Sequence, residues 1–164
     1  VYELMDEKKA YQKACIGIVK KRVYATIEGL GIKVDENPHF DWYYGIIDLE
    51  FWLKKYVDAD CVAWIRKNIH PLDIVFRLAE DYGIVLLNGG GFEAPDWSVR
   101  VSFANLDDHV YDDIGRAVRA IARGYVQAYE SAKGSPPAGG KVKPKALPRP
   151  VTKAKKKAGT RKAR

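Results

Sequence analysis

Arg100 is the residue whose type and setting best suit binding chemistry. It lies in Ser98-Val-Arg-Val-Ser-Phe103, where apolar and polar residues alternate as in a strand with one buried face. An unpaired cation is costly to bury, so an arginine there needs an anionic partner or solvent. Its planar fork can bind a carboxylate through two parallel hydrogen bonds. From the pattern alone, an exposed arginine on the solvent face of an edge strand is slightly favoured over a binding residue.

The glycine run Gly89-Gly-Gly91 follows a predicted strand and suggests a phosphate-binding loop. It matches neither G-x-G-x-x-G nor G-x-x-x-x-G-K-[ST], and Pro95 follows instead of a helix start. We therefore expect a flexible hairpin connection.

An acidic cluster has the composition of a metal site, since it combines four carboxylates with a histidine. Its members are Asp107, Asp108, His109, Asp112 and Asp113. Carboxylates are also favoured at a helix N-terminus, and we prefer that interpretation. His39 and His70 have no partner at a ligand spacing. The sequence therefore predicts no metal site, and it contains no recognisable nucleophile–base pair.

Cys15 and Cys61 lie in helical patterns without paired spacing. We predict that both are buried, small apolar residues of a reducing compartment rather than a disulfide. No apolar run of about 18 residues occurs and the N-terminus lacks the apolar core of a secretory signal, so we expect a cytoplasmic protein.

The elements that must position Arg100 follow from the apolar spacing. A long amphipathic helix is predicted to start at Glu7 after a capping Asp6, and Gly29 and Gly31 are expected to end it in a left-handed conformation. Its buried stripe is predicted to contain Tyr11, Cys15, Ile18, Val19, Val23, Ile27 and Leu30.

The rest of the pattern predicts short elements. Strands are expected at 42–47, at 84–88 as a buried, continuously apolar strand, and at 98–103. Helices are expected at 50–56, at 59–68 and from Pro71 to about residue 81, where Gly83 ends the last. Asp107 is predicted to cap a final helix to about residue 132, with Val110, Ile114, Val118, Ile121 and Tyr125 on its inner face. The aromatic runs at 42–44 and 51–52 are expected in the core. Helices flanking a small sheet give an α/β or α+β domain.

The net charge of +7 is unevenly distributed. Residues 133–164 contain 12 Lys or Arg and no acidic residue, which leaves 16 basic and 21 acidic residues, a balance of −5, in residues 1–132. The basic segment has almost nothing apolar to bury, so it is predicted to be disordered. Such a tail can contact nucleic acid weakly and nonspecifically, although a solvated extension is the favoured interpretation.

Residues 84–106 carry a family resemblance. They read Ile-Val-Leu-Leu-Asn-Gly-Gly-Gly-Phe-Glu-Ala-Pro-Asp-Trp-Ser-Val-Arg-Val-Ser-Phe-Ala-Asn-Leu. This segment resembles the C-terminal region of aspartate 4-decarboxylases, bacterial relatives of aspartate aminotransferase that also transaminate. Residues 73–80, 43–48 and 30–32 look like the same family, and the likeness ends near residue 130. General aminotransferases share only a glycine–phenylalanine turn followed by an arginine-containing strand.

The resemblance implies the C-terminal small domain of a pyridoxal-phosphate enzyme of fold type I. By its place in Ser-Val-Arg-Val-Ser, Arg100 is similar to the arginine that clamps the substrate α-carboxylate, which reverses the preference for an exposed residue. In such enzymes pyridoxal phosphate forms a Schiff base with a lysine and acts as the electron sink. Decarboxylation of L-aspartate at Cβ then gives L-alanine and carbon dioxide, with transamination as the side reaction.

The resemblance also implies that this chain lacks the lysine that binds the cofactor covalently. The Schiff-base lysine belongs to the large domain, upstream of Val1, and no lysine of this chain has the matching context. We therefore expect an inactive fragment with no catalytic residue and no covalent cofactor, from a parent that forms homo-oligomers. Residues 1–37 would end the large domain and form an interdomain helix, 38–132 the small domain and 133–164 the disordered tail. Three alternatives stay open: part of an ordinary aspartate or aromatic aminotransferase, a small nucleic-acid-binding protein led by its tail, and a truncated gene product without function.

Overall fold

The computed structural model describes residues 2–35 and 39–134, with the side chains of the first helix described from residue 8. The described part is an α+β structure of helices around a three-stranded antiparallel sheet, which confirms the predicted class. In chain order the elements are α1 (Tyr2–Leu30), β1 (Tyr44–Asp48), α2 (Leu49–Tyr56), α3 (Ala59–Asn68), α4 (Asp73–Tyr82), β2 (Leu87–Asn88), a 3-10 turn (Gly89–Phe92), β3 (Ser98–Ser102) and α5 (Val110–Lys133). The predicted disorder of the basic tail concerns residues that, from 135 onward, lie outside the described part, as do residues 36–38.

The sheet has the order β1-β3-β2, with β3 paired on both sides. Its inner face is apolar, because Val99, Val101 and the following Phe103 are buried, as the alternation predicted. The prediction of a buried strand over 84–88 is wrong. Only Leu87–Asn88 pair with β3, and Val85 is 81% exposed. This segment is the edge of the sheet, and an edge strand has one side without a neighbouring strand.

The contact between α1 and α5 is more extensive than that between any other two elements of the described structure. Val23 of α1 is buried in one apolar cluster with Tyr111 and Ile114 of α5 and with Val101 and Phe103 beside them. The predicted inner face of α5 is confirmed at Ile114, Val118, Ile121 and Tyr125, which are all buried, whereas Val110 is half-buried.

The predicted stripe of α1 is buried only at Val23 and Leu30, while Val19 and Ile27 are half-buried. Tyr11 is 71% exposed and Ile18 is exposed as well. The cause is that α5 begins near Arg22, so the preceding turns of α1 project beyond it. The helix also begins before Glu7, because residues from Tyr2 onward are already helical.

Two helices begin with an aspartate N-cap, whereas the predicted cap of the last helix is absent. The Asp48 and Asp58 side chains accept hydrogen bonds from the backbone N–H groups of the first turns of α2 and α3. The predicted Asp107 cap is wrong, since its backbone carbonyl, not its carboxylate, accepts from Val110 N–H and the residue at the cap is His109.

Glycines end two helices. Gly31 and Gly83 have φ near +68° and +67°, so both adopt the left-handed conformation that favours glycine. Gly29, also expected to be left-handed, stays helical. The fourth helix begins at Asp73 rather than at Pro71.

The prediction that the aromatic runs lie in the core is only partly correct, because Trp42 and Trp52 pack against the core clusters and the other three rings do not. Tyr43, Tyr44 and Phe51 are exposed, while Trp42 and Trp52 are half-buried. Aromatic side chains were expected inside because they bury large apolar areas. No helix among the described residues is long and apolar enough to cross a membrane.

Candidate carboxylate-binding site

Arg100 lies at the centre of the sheet. It is the middle residue of β3, opposite Ile46 of β1 and Leu87 of β2. Its side chain shares the outer face of the sheet with Ser98 and Ser102, away from the buried valines. The interpretation of Arg100 as an edge-strand residue is therefore wrong, because β3 has neighbours on both sides and Arg100 is half-buried.

Two aromatic rings contact the Arg100 guanidinium. Its Cζ lies 3.8 Å from the ring centroid of Tyr44 and 4.2 Å from that of Phe92. Tyr44 belongs to β1 and Phe92 follows β2, so the rings approach from opposite flanks of β3. Both distances lie well inside the roughly 6 Å range of cation–π attraction. The two rings therefore stabilise the position of the cation.

Arg100 has no anionic partner within the part of the chain that the structure describes, where it makes neither a hydrogen bond nor an ion pair. Other arginines differ: Arg22 donates to Asp108 at 2.7 Å, and Arg77 contacts Asp81 at 3.4 Å. As far as the described residues are concerned, the donors of Arg100 are therefore free to receive an external carboxylate. Its planar fork fits that group in a bidentate arrangement.

The surroundings of Arg100 combine apolar surface with polar atoms. Four large apolar side chains near it are exposed: Tyr44, Ile46, Leu87 and Phe92. Such a patch around a cation reduces competition from water and strengthens electrostatic attraction. The Ser102 hydroxyl on the same face is buried and makes no hydrogen bond to the described residues.

The glycine run sets the place of Phe92. A β-carbon at Gly90 would lie 3.0 Å from the Asp96 carboxylate, and one at Gly89 would collide with Ser98. The run forms a 3-10 turn between antiparallel β2 and β3, which confirms the predicted hairpin connection. The close packing explains why small residues are needed there.

Sequence reasoning missed both rings. Tyr44 was expected in the core, and Phe92 was noted only as part of the family segment. The exposed side of β1 could have been inferred only with the strand register, which pairs Tyr44 with Ser102. Register depends on partners distant in sequence.

The acidic cluster is a set of ion pairs. Asp108 pairs with Arg22, while Asp112 and Asp113 contact Arg116 of the same helix. The hydrogen bond from Arg22 holds the pKa of Asp108 below its usual value. No group of three metal-binding side chains occurs among the described residues.

The histidines and cysteines add no site. His70 Nδ1 accepts a hydrogen bond from the Leu72 N–H at 3.2 Å. Cys61 is buried as predicted, and burial raises the pKa of its thiol. The same prediction for Cys15 is wrong, because it is only half-buried on the projecting part of α1; both cysteines are free thiols.

A cavity of about 320 Å³ lies at the free edge of β1 and does not include Arg100. Its walls come from the C-terminal half of α1, from β1 and from α2, and they are mostly apolar. Lys33, Asp35, Asp48 and Arg119 also line it.

No family model matches the chain. The chain is similar to a curated Pseudomonas protein described as a bifunctional aspartate aminotransferase and L-aspartate beta-decarboxylase. The two are 34% identical over 131 residues, which are 80% of this chain and 25% of that protein. The chain thus spans about a quarter of the length of the curated relative that it matches. This similarity confirms the resemblance predicted from the sequence.

Proposed function

We propose that this chain is the substrate-carboxylate-binding part of a pyridoxal-phosphate-dependent aspartate 4-decarboxylase, which converts L-aspartate to L-alanine and carbon dioxide and also transaminates. The observation that carries the proposal is the 34% identity over 131 residues to the bifunctional Pseudomonas enzyme. The small antiparallel sheet packed among helices is consistent with a small domain of such an enzyme.

Arg100 is the residue that we assign to the α-carboxylate of the substrate. In its favour are a central place on β3, half-burial and the lack of an anionic partner in the described chain. A bidentate ion pair there would fix the amino acid in one orientation, and positioning of this kind lowers the entropic part of the reaction barrier.

We infer that the cofactor is not anchored on the Arg100 face of the sheet. The described side chains on the Arg100 face of the sheet include no lysine that could anchor pyridoxal phosphate. This face suits a carboxylate, so we assign the cofactor, its anchoring lysine and the proton transfers to other parts of the enzyme. When bound, the cofactor would supply the electron sink of the reaction.

The division of the chain follows from the same proposal. Residues 1–37 would end the large domain and lead out of it, residues 38–132 would form the small domain, and residues 133–164 would be an extension. The enzyme would be a cytoplasmic homo-oligomer, and this chain alone would be inactive and would not bind the cofactor covalently.

Replacement of Arg100 in the intact enzyme tests the proposal. Loss of a charge-assisted pair costs about 2–5 kcal/mol, so Arg100→Ala should lower kcat/KM for L-aspartate roughly 30- to 5000-fold. Arg100→Lys keeps the charge but loses the fork, so it should not restore activity. The cofactor absorbance and the far-ultraviolet circular dichroism should stay unchanged.

The matched control is Arg66→Ala, which removes an exposed arginine of α3 whose one ion pair among the described residues is with Glu50. It should leave kcat/KM within about twofold, because exposed pairs contribute little. Near-wild-type kinetics of both Arg100 variants would contradict the assignment.

An aspartate aminotransferase without decarboxylase activity is the second candidate, since the name of the Pseudomonas relative contains both activities. Product analysis separates the two candidates. Release of carbon dioxide with L-alanine supports the decarboxylase, whereas amino-group transfer to a 2-oxo acid without carbon dioxide supports the aminotransferase.

A further inference from the structure

The rings of Tyr44 and Phe92 restrict how a ligand can reach Arg100. A guanidinium is planar, and each face can be covered by one aromatic ring. The two ring centroids lie 3.8 and 4.2 Å from Cζ and come from opposite flanks of β3. Two rings that cover the two faces leave open the edge of the cation, where the N–H donors point.

We propose that Tyr44 and Phe92 are positioning residues that fix the plane of the Arg100 guanidinium, so that the site accepts a carboxylate edge-on and rejects ligands that stack on the cation. This proposal rests on the proposed function for the identity of the ligand. The rings act through Arg100 and need not contact the reacting atoms.

The elements that carry the rings support this role. Tyr44 begins β1 opposite Ser102, two residues from Arg100 along β3, so its ring lies beside the arginine on the same face. Phe92 ends the 3-10 turn that the glycine run packs against the start of β3. Both rings stay partly exposed, at 39% and 47%, so core packing alone does not account for their positions.

The rotation of the guanidinium provides a test that needs no ligand. In the full chain labelled with nitrogen-15, nuclear magnetic resonance measures the rate of rotation about the Cζ–Nε bond of Arg100. Tyr44→Leu and Phe92→Leu should each raise this rate about 2- to 30-fold, the range expected for loss of one cation–π contact. Tyr44→Phe retains the ring and should keep the wild-type rate.

Phe76→Leu is the matched control, since Phe76 on α4 is 59% exposed and its ring contacts no cation among the described residues. It should leave Arg100 unchanged. If a leucine variant unfolds, ring-current shifts in the wild-type chain decide instead. The Arg100 Cδ protons should lie upfield of those of Arg123, which has no ring contact in the described part.

A titration with L-aspartate of the intact enzyme that carries the same substitutions separates this proposal from the proposed function. Weaker binding in both leucine variants, with unchanged binding in Tyr44→Phe and Phe76→Leu, supports the edge-on site. Faster rotation without any response of wild-type Arg100 to L-aspartate would support the positioning role and contradict the carboxylate ligand. Unchanged rotation in both leucine variants, or the absence of upfield shifts, would overturn the positioning role.

Discussion

Gly29 of α1 and Gly115 of α5 meet where the two longest helices touch. A β-carbon added to Gly115 would lie 2.9 Å from the Cα atom of Gly29 and 2.7 Å from the backbone nitrogen of Leu30. A β-carbon added to Gly29 would lie 3.0 Å from the backbone nitrogen of Arg116. The obstacles are backbone atoms, so side-chain rotation cannot relieve them. The pair lets the helix backbones approach without intervening side chains.

Gly115→Ala should therefore lower the free energy of unfolding by about 1–3 kcal/mol, because overpacking forces the helices apart. Chemical denaturation with circular dichroism measures the loss. Gly17→Ala is the control, since a β-carbon at Gly17 meets no atom within 4 Å. It should stabilise α1 by up to about 1 kcal/mol through helix propensity. Equal effects of the two substitutions would contradict the close contact.

Tyr125 makes a part-buried hydrogen bond that connects α5 to α4. Its hydroxyl donates to the Asp73 carboxylate at 2.8 Å, and the residue is 2% exposed. Tyr125→Phe should cost about 1.5–3 kcal/mol, the range for a hydrogen bond to a charged group. Tyr129→Phe on the same helix should cost less, because no hydrogen bond of its hydroxyl occurs among the described residues. Urea unfolding of both variants measures the difference.

The same pair predicts a pH dependence at high pH. Burial, and then the charge and hydrogen bond of Asp73, raise the pKa of Tyr125 far above its ordinary value. The stabilisation from this group is complete below the unfolded pKa of about 10. It is lost as the pH rises through the folded pKa, since the unfolded chain then releases the proton first. An ultraviolet titration should show one tyrosine that ionises only when the protein unfolds. Ionisation of Tyr125 in the native protein at a pH near the ordinary tyrosine pKa of about 10 would refute this.

Ser98 and Ser102 occupy the same face of β3 but should respond oppositely to substitution. The Ser98 hydroxyl donates to the Pro95 carbonyl at 2.6 Å, whereas the buried Ser102 hydroxyl has no partner among the described residues. Ser98→Ala should cost about 0.5–1.5 kcal/mol, and Ser102→Ala should be neutral or slightly stabilising. Thermal unfolding of both variants checks the difference, and a large loss in Ser102→Ala would reveal a partner.

Arg22 and Asp108 link α1 to the turn before α5 across a 2.7 Å ion pair. The hydrogen bond from Arg22 is the main cause that lowers the pKa of Asp108. The contribution of Asp108 to stability is thus present above its unfolded pKa of about 3.9 and is lost as the pH falls through the folded pKa. Arg22→Met should raise the pKa of Asp108 in a carbon-13 titration. Lys21→Met should raise it less, because the Lys21 ammonium is exposed and lies 3.6 Å away.

The sequence determined the local elements well where a single period dominates. The bounds of α3 and the inner face of α5 follow from the 3.6-residue repeat, and the buried valines of β3 follow from the two-residue repeat. The hairpin at the glycine run and the resemblance to aspartate 4-decarboxylases also came from the residues alone. The helix bounds, the buried faces and the hairpin depend on residues that are close together in the sequence.

Only the tertiary structure decided which surfaces are covered. The strand order makes Arg100 central, and the register brings Tyr44 beside it. Tyr11, Ile16 and Ile18 of α1 remain exposed because α5 begins beside Arg22 and does not reach them. Local periodicity indicates which residues share a face. Whether that face is buried depends on an element distant in sequence that packs against it. The ring contacts of Arg100 and the close approach of Gly29 and Gly115 arise in this way from tertiary packing.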